Sequence, residues 1–219
     1  MTTKTFLLDT SILNNDALFA RYYQMVSPFR QQKIRAFKFR KDKNLSLGAG
    51  ILLDTGLGEF GLREQDVQTV VRENGKPFFP DLPDIHFNIS HSETQVICSF
   101  SQAEVGADIE KITDIDLQIA KRFFYRTEYA YICAKPLKEE QNEAFFRLWA
   151  LKESFMKLSG KGMHLPLDSF EIQFGKKITI RPSVDGSTFF FREYSVTGYK
   201  TAVCSMQDDF LDSLRVISI

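Results

Sequence analysis

Residues 139–159 form the strongest helical pattern in this chain of 219 residues. The apolar positions recur at spacings of three and four and are Leu148, Leu151, Phe155 and Leu158. They form one stripe, which must pack against an apolar surface. Gly160 follows and predicts the end of the helix. The segments before and after this helix include β-like runs, so the sequence predicts an α+β fold.

A short β-like segment occurs twice, about half a chain apart. Residues 96–100 (VICSF) are loosely similar to residues 202–206 (AVCSM), and each segment follows an apolar helix and a predicted turn. Two similar α/β halves would explain this, with one half at 1–103 and the other at 104–219. Chance similarity between short strands is the simpler alternative at this point.

Local signals predict the starts of further helices. Ser27-Pro28 is typical of a helix start, with the serine as cap and the proline in the first turn. Residues 45–57 are small and apolar enough to form a buried helix. Thr127 is expected to cap another helix, with Glu128 in its first turn.

Charge and cysteine content limit the possible classes of protein. The chain has 28 basic and 28 acidic residues, which disfavours a globally basic nucleic-acid binder. Its three cysteines are widely spaced, so neither a disulfide framework nor a CxxC site fits, and a reducing cytosol is the simpler location. An early acid, Asp9, argues against a signal peptide, and no apolar run is long enough to span a membrane. We therefore expect a cytoplasmic protein.

Three carboxylates and one lysine form the first candidate site. Asp108 and Glu110 lie two residues apart on a predicted strand, so both point to the same side. Carboxylates suit a hard cation such as Mg²⁺. Glu153 from the long helix adds a third, with Lys157 one turn later, which indicates metal-assisted phosphate chemistry. The alternatives are an exposed strand end at Glu110 and a surface ion pair between Glu153 and Lys157.

A second candidate site is a turn rich in hydrogen-bond donors. The sequence predicts strands at 86–90 and 95–100 with a turn at 91–94. Ser90 and His91 lie where the first strand ends, and such a turn can bind an anion. Ordinary turn chemistry by serine is the alternative. Residues 20–43 hold eight basic residues against one acid, which suits a polyanionic ligand, an acidic partner or a solvated face.

These motifs together resemble the 4′-phosphopantetheinyl transferase family. The two signature motifs are similar to VGADIE at 105–110 and WALKESFMK at 149–157. Additional segments resemble the Sfp-type, surfactin-synthetase-activating branch, and these are GKP at 75–77, FNISHS at 87–92, IAKRFF at 119–124 and LPLDSF at 165–170. The resemblance covers nearly the whole chain.

The resemblance implies a fold of two similar α/β halves related by a pseudo-twofold axis. Coenzyme A is then expected in the cleft between the halves, with its phosphates and adenine against 1–103. The metal site and the docking surface for the carrier protein are expected in 104–219. The implied reaction transfers the 4′-phosphopantetheine arm of coenzyme A to a serine of an apo acyl or peptidyl carrier protein and releases adenosine 3′,5′-bisphosphate.

The resemblance also assigns residues to the metal and the pyrophosphate. The expected ligands of Mg²⁺, or of Mn²⁺ in its place, are Asp108, Glu110 and Glu153. Lys157 matches the lysine that contacts the pyrophosphate. With His91, this gives the expected catalytic set of Asp108, Glu153, Lys157 and His91. The base that accepts the serine proton is left open between a water held by the metal and a carboxylate such as Glu153.

Further residues are assigned to the rest of coenzyme A and to the carrier protein. Ser90 and His91 match the segment at the 3′-phosphate. Arg30 and Lys33 resemble the family's basic residues near that phosphate. Arg40 resembles another, in a stretch that aligns across an expected gap of one residue. The strip along the adenine matches Lys76 and Pro77. Candidate docking residues for the carrier are Lys121, Arg122, Phe123 and Phe124, with both rings in the core as the alternative.

We expect a monomer, because one chain holds both halves. Two rival functions follow from the same residues. A metal-dependent phosphodiester hydrolase would consume coenzyme A or nucleotides without a carrier protein. A non-catalytic module would bind the carrier without any dependence on metal.

Overall fold

A computed structural model describes residues 2–181 and 186–219, and for Met163 the backbone alone. The first half of the chain contains five strands and three α-helices. They are β1 Lys4–Asp9, α1 Asp16–Tyr23, α2 Pro28–Ala36, α3 Arg40–Gly58, β2 Val70–Val71, β3 Pro77–Phe78, β4 His86–Ser92 and β5 Gln95–Ser101. Strands β2 and β3 pair as a small separate hairpin.

The described part of the second half contains six strands and three α-helices. They are β6 Val105–Lys111, α4 Leu117–Phe123, α5 Arg126–Cys133, α6 Lys138–Ser159, β7 Glu171–Gln173, β8 Thr179–Arg181, β9 Phe190–Val196, β10 Tyr199–Ser205 and β11 Arg215–Val216. Among the described helices, none is both long and apolar enough to cross a membrane.

The two halves repeat one topology. In the first sheet the order is β11-β1-β5-β4, and in the second it is β6-β10-β9. In each, the first strand runs antiparallel to the second strand of a later hairpin, and a long helix, α3 or α6, packs against the sheet. Cys98 and Cys204 lie buried in the two central strands. The expectation of two similar α/β halves is therefore confirmed.

Strand β11 joins the end of the chain to the first half. It pairs in parallel with β1, so the last strand of the chain lies on the edge of the first sheet. Further apolar contact between the sheets comes from a cluster that includes Leu7, Ile97, Val105 and Val203. The division at residue 103 stays a prediction, and any such division cuts these contacts.

Strand β4 is joined to β6 by its side chains. The amide N–H of Ala107 donates to Asn88 Oδ1 over 2.9 Å, and the amide N–H of Lys111 donates to Ser92 Oγ over 3.0 Å. Residues two apart on a strand point to one side, so Asn88 and Ser92 face β6 together. These bonds fix the strand of one half against the strand that carries Asp108.

Several predicted boundaries are confirmed, and others differ for local reasons. Ser27 caps α2, and Gly160 ends α6 in a left-handed conformation at φ 67°. Helix α3 begins at Arg40 rather than at residue 45, because its first turn is polar and carries no apolar signal. Strand pairing continues through His91 and Ser92, so the hairpin turns at 93–94 alone.

The prediction that Thr127 caps a helix is wrong. Helix α5 begins after Tyr125, whose amide N–H donates to the carboxylate of Glu128 over 2.9 Å. Thr127 instead donates its hydroxyl to Glu171, the first residue of β7. Glu128 in the first turn therefore caps the helix by accepting a hydrogen bond from the backbone of Tyr125, a residue without a typical capping side chain.

Gly106 allows the backbones of β6 and α6 to come into contact. A methyl group at this position would overlap the carbonyl oxygen of Ser154 and the amide nitrogen of Leu158. We expect Gly106→Ala to lower the free energy of unfolding by about 2 kcal/mol, because backbone atoms cannot move aside as a flexible side chain can. Urea denaturation followed by circular dichroism measures this change.

Gly58→Ala is the matched control. A methyl group at Gly58, the last residue of α3, would meet no atom within 4 Å. Alanine is the better helix former, so this variant should be as stable as the wild type or slightly more so. Equal stability of the two variants would contradict the close contact at Gly106.

Candidate active site

Asp108 lies at the centre of the candidate site. Its side chain is buried on β6, and its Oδ1 accepts hydrogen bonds from Lys157 Nζ at 2.6 Å and from Ser90 Oγ at 2.9 Å. Lys157 also donates to Ser90 Oγ at 2.8 Å. The other oxygen, Oδ2, is buried and has no hydrogen-bond partner among the described residues. One oxygen is thus held by the protein, and the other is left for a ligand.

Glu110 and Glu153 add negative charge at the same place. Burial and the charge of Asp108 raise the pKa of Glu110 to about 7, and the charge of Glu153 contributes. Burial and Asp108 also raise the pKa of Glu153. Ser92 Oγ donates to Glu110 at 3.2 Å. Each carboxylate destabilises the ionised form of its neighbours, so a cation beside them would be stabilising.

The carboxylates fit a divalent cation, although they are not arranged as a finished metal site. Within residues 2–181 and 186–219, no group of three histidine, cysteine or acidic side chains has the geometry of a ligand cluster. The ammonium group of Lys157 lies at Asp108 Oδ1, where it offsets part of the charge. The unpartnered Oδ2 and the raised pKa values of both glutamates are the features that a hard, oxygen-binding cation would satisfy.

A cleft of about 290 Å³ adjoins this cluster through His91, which directly follows Ser90, the partner of Asp108. Its lining is largely apolar and includes the acid Asp42, but basic side chains outnumber acids, and we call it the basic cleft. Helix α2 lines it with Arg30 and Lys33, β4 with His91, and β3 with Pro77. Burial lowers the pKa of all three basic groups. The charge of Arg30 lowers the pKa of Lys33 further. The charges of Lys157 and Lys33 lower the pKa of His91 in the same way. Like charges held together in a partly dry cleft are complementary to a phosphate group.

Glu64 is a residue of this region that the sequence did not identify. Its carboxylate accepts hydrogen bonds from the amide N–H of Ser27 at 2.6 Å and from Ser27 Oγ at 2.9 Å. It also lies 3.6 Å from Arg30 Nε, in a buried ion pair. Glu64 thus holds the start of α2 and the guanidinium that lines the cleft. It lies in a segment without clear periodicity, so no sequence signal indicated this role.

Arg40 is not among the residues that line the cleft, and its assignment to the 3′-phosphate stays a prediction. Its guanidinium donates to Asp16 at 2.8 Å, to the carbonyl oxygen of Leu13 at 2.7 Å and to Asn44 at 2.9 Å. These bonds tie α3 to the segment after β1. Arg40 therefore serves the fold, while Arg30 and Lys33 remain at the cleft.

The side chain of Lys76 also points away from the cleft. Its amine donates to Glu104 at 2.5 Å and to the carbonyl oxygen of Leu158 at 3.1 Å. Only its neighbour Pro77 lines the cleft. Its ammonium group is held by these two partners, and Lys76 lines an adjoining pocket with Pro77 and Glu104. Its assignment to the adenine stays a prediction.

The four candidate docking residues divide into exposed and buried side chains. Lys121, Arg122 and Phe123 are exposed at the end of α4. Phe124 is buried, with its ring 5.1 Å from that of Phe145 and packed against other rings of the core. Of the two adjacent rings, only that of Phe123 can therefore meet a partner.

Comparison with known proteins identifies relatives along most of the chain. The family model described as the 4′-phosphopantetheinyl transferase superfamily matches residues 104–204. The 4′-phosphopantetheinyl transferase Sfp of Bacillus subtilis is 41% identical over 202 residues, 90% of each chain. The transferase gsp of Aneurinibacillus migulanus is 35% identical over 184 residues, 83% of this chain and 76% of that protein.

One solved structure aligns with about half of the chain. The holo-[acyl-carrier-protein] synthase of Thermotoga maritima aligns with 47% of this chain and 61% of that chain, at 19% identity and a TM-score of 0.40.

The site thus combines a buried carboxylate cluster with a cleft that holds Arg30, Lys33 and His91. Given the identity and coverage of its relatives, the chain belongs to the 4′-phosphopantetheinyl transferase family, in its Sfp-type branch.

The raised pKa of Glu110 predicts a specific dependence of stability on pH. In the folded protein this pKa is about 7, above the ordinary value of 4.5. The unfolded chain therefore loses the proton more readily, and the stability contributed by Glu110 falls as pH rises from 4.5 through 7. Between pH ~5 and pH ~8 we expect Glu110 to lower the free energy of unfolding by about 1 kcal/mol, after solvent screening is allowed for.

Urea denaturation in EDTA measures this effect, with Glu110→Gln as the reference that lacks the titrating group. The wild type should lose more stability than the variant between the two pH values. The same pH dependence in both proteins would show that Glu110 is not in the crowded electrostatic environment described.

Proposed function

We propose that this chain transfers the 4′-phosphopantetheine arm of coenzyme A to a serine of an apo carrier protein. The observation that carries the proposal is the position of Lys157. Its ammonium group bonds to buried Asp108 and to Ser90, and it lowers the pKa of His91 at the edge of the basic cleft. Lys157 thus lies between the carboxylate cluster and the basic cleft. This position suits coenzyme A, which has a pyrophosphate to place at the carboxylates and a 3′-phosphate to place in the cleft.

The proposed reaction exchanges one bond to phosphorus for another. The serine oxygen of the carrier bonds to the phosphorus that bears the pantetheine arm. The bond from that phosphorus to the bridging oxygen breaks, and adenosine 3′,5′-bisphosphate leaves with the electron pair. The serine proton passes to a base, and Glu153, whose pKa is raised by burial, is the candidate that this chain offers.

The residues of the cleft bind and orient the donor. Arg30 and Lys33 are proposed to contact the 3′-phosphate, with His91 and Ser90 beside them. Pro77 would flank the adenine. Lys157 would contact the pyrophosphate and offset the charge that develops on the leaving oxygen. Asp108 holds the ammonium group of Lys157 at 2.6 Å, which fixes it before the donor binds.

The proposed ligands of a divalent cation are Asp108, Glu110 and Glu153. Mg²⁺, or Mn²⁺ in its place, would neutralise the pyrophosphate and favour the departure of the bisphosphate. The unpartnered Oδ2 of Asp108 is the atom that most requires such a partner.

The carrier protein is proposed to dock at the end of α4. Lys121 and Arg122 are exposed there next to the exposed ring of Phe123. This combination suits a partner that presents an acidic, partly apolar surface. We further propose a monomer, since both halves of the site come from one chain. A cytoplasmic location is proposed because Cys98, Cys133 and Cys204 are free thiols, which suits a reducing compartment.

Glu153→Gln tests the carboxylate cluster. We expect the transfer rate to fall at least about 100-fold, because the variant loses a proposed ligand of the cation and the candidate base for the serine proton. Its thermal midpoint should be equal to that of the wild type or higher, since burial already disfavours this carboxylate. Release of adenosine 3′,5′-bisphosphate in the presence of a carrier measures the rate.

Glu143→Gln is the control on the same helix, because Glu143 is exposed and pairs with Lys200 at the surface. It should transfer at the wild-type rate. Full activity of Glu153→Gln at saturating Mg²⁺ would contradict the role of Glu153.

Lys33→Glu tests the basic cleft. We expect the KM for coenzyme A to rise about tenfold at low ionic strength, because a charge that faces phosphate is reversed. The increase should shrink at high ionic strength, where salt screens the charge. Steady-state kinetics at the two salt concentrations measure both effects.

Arg35→Glu makes the same change of charge on α2 at an exposed position that is not among the residues lining the cleft. Its effect on KM should be small at either salt concentration. Equal effects of the two substitutions would show that net charge, and not the position of Lys33, governs binding.

A further inference from the structure

The buried amine of Lys76 connects the two halves of the molecule. Lys76 belongs to the turn between β2 and β3. Two backbone hydrogen bonds close this turn. The Arg72 amide N–H donates to the Lys76 carbonyl oxygen at 2.9 Å, and the Gly75 amide N–H donates to the Arg72 carbonyl oxygen at 2.8 Å. The ammonium group of Lys76 bonds to Glu104, just before β6, and to the carbonyl oxygen of Leu158, in the last turn of α6. Helix carbonyls at a C-terminus favour a cation at this position.

Glu104 is the acid at which three segments of the chain meet. Besides Lys76, it contacts Arg72 Nη1 at 3.3 Å and His86 Nδ1 at 3.5 Å, at the start of β4. The bond from His86 and then that from Lys76 lower the pKa of Glu104 to about 2, so it is ionised at neutral pH. Its loss would leave the buried ammonium group of Lys76 without its counter-charge.

The two ends of this cluster belong to two parts of the proposed site. Pro77 follows Lys76 directly and lines the cleft, as do Thr69 and Val71 on the other strand of the hairpin. Leu158 follows Lys157 directly, in the same turn of α6. The cluster therefore links the wall of the nucleotide cleft to the helical turn that carries the pyrophosphate lysine.

We propose that Glu104 and Lys76 are positioning residues that hold the wall of the cleft at a fixed distance from Lys157. The inference rests on the proposed function, since it assigns the adenosine part of coenzyme A to the cleft and the pyrophosphate to Lys157. Neither residue touches the reacting atoms. They keep the β2–β3 hairpin in place, so that both parts of one ligand meet their binding groups together.

Two single variants and their combination test this inference. Glu104→Gln removes the charge while keeping the size of the side chain, and Lys76→Met keeps the aliphatic stem without the amine. Each should raise the KM for coenzyme A about five- to tenfold and leave the KM for the carrier protein unchanged. The double variant should be no worse than Lys76→Met alone, because both substitutions break one contact.

A second readout does not depend on activity. Amide hydrogen exchange should become faster in the β2–β3 hairpin of Glu104→Gln, including the Arg72 amide that bonds within the turn. Exchange in β9 and β10 should stay the same. Glu193→Gln is the control, with wild-type kinetics expected. Glu193 lies on β9 and forms a part-buried ion pair with Arg147 of α6.

Three results would overturn the inference. A KM for coenzyme A that changes in Lys76→Met but not in Glu104→Gln would show that Lys76 contacts the ligand directly. A fall in kcat with both KM values unchanged would show a general loss of active protein. A wild-type protein that neither binds coenzyme A nor modifies a carrier would remove the proposed function, and this inference with it.

Discussion

The site depends on the contact between the backbones of β6 and α6 at Gly106. No side chain separates the strand from the helix at this point, since even a methyl group would overlap backbone atoms of Ser154 and Leu158. This contact brings Lys157 within 2.6 Å of Asp108, although the two lie 49 residues apart in sequence. The bonds from β4 then hold the other half of the molecule against the same strand. The basic cleft and the carboxylate cluster come together as a consequence of this packing.

The site has two regions of opposite and incompletely neutralised charge. Burial and mutual repulsion raise the pKa of Glu110 and Glu153, while burial and like charges lower the pKa of Lys33 and His91. Each region is thus less stable alone than it would be with a ligand of the opposite charge. The proposed cation and multi-phosphate donor would satisfy both regions at once. This complementarity is the physical basis of the proposed transfer. The Glu104–Lys76 contact is proposed to hold the two regions at a fixed distance from each other.

The sequence predicted the parts of the site whose signals are local. Two acids on one strand, and an acid one helical turn before a lysine, were recognisable from spacing, and the resemblance to the family joined them. Glu64 and Glu104 could not be found in this way, because their partners lie far along the chain. The sequence left open whether Phe123 and Phe124 are exposed or in the core, because it does not distinguish an exposed ring from a core ring, and the structure buries Phe124 alone of the two. For the same reason it could not show that Arg40 bonds to Asp16 and Leu13. His91 was expected in a turn, although strand pairing carries β4 past it.

The central claim is that the chain moves the phosphopantetheine arm to a carrier protein. The most direct test is to incubate the protein with coenzyme A, Mg²⁺ and a panel of apo acyl and peptidyl carrier proteins, and to measure the intact mass of each carrier. We predict a gain of one phosphopantetheine arm on at least one carrier, prevented by EDTA. Consumption of coenzyme A with every carrier unmodified would contradict this account and indicate a hydrolase.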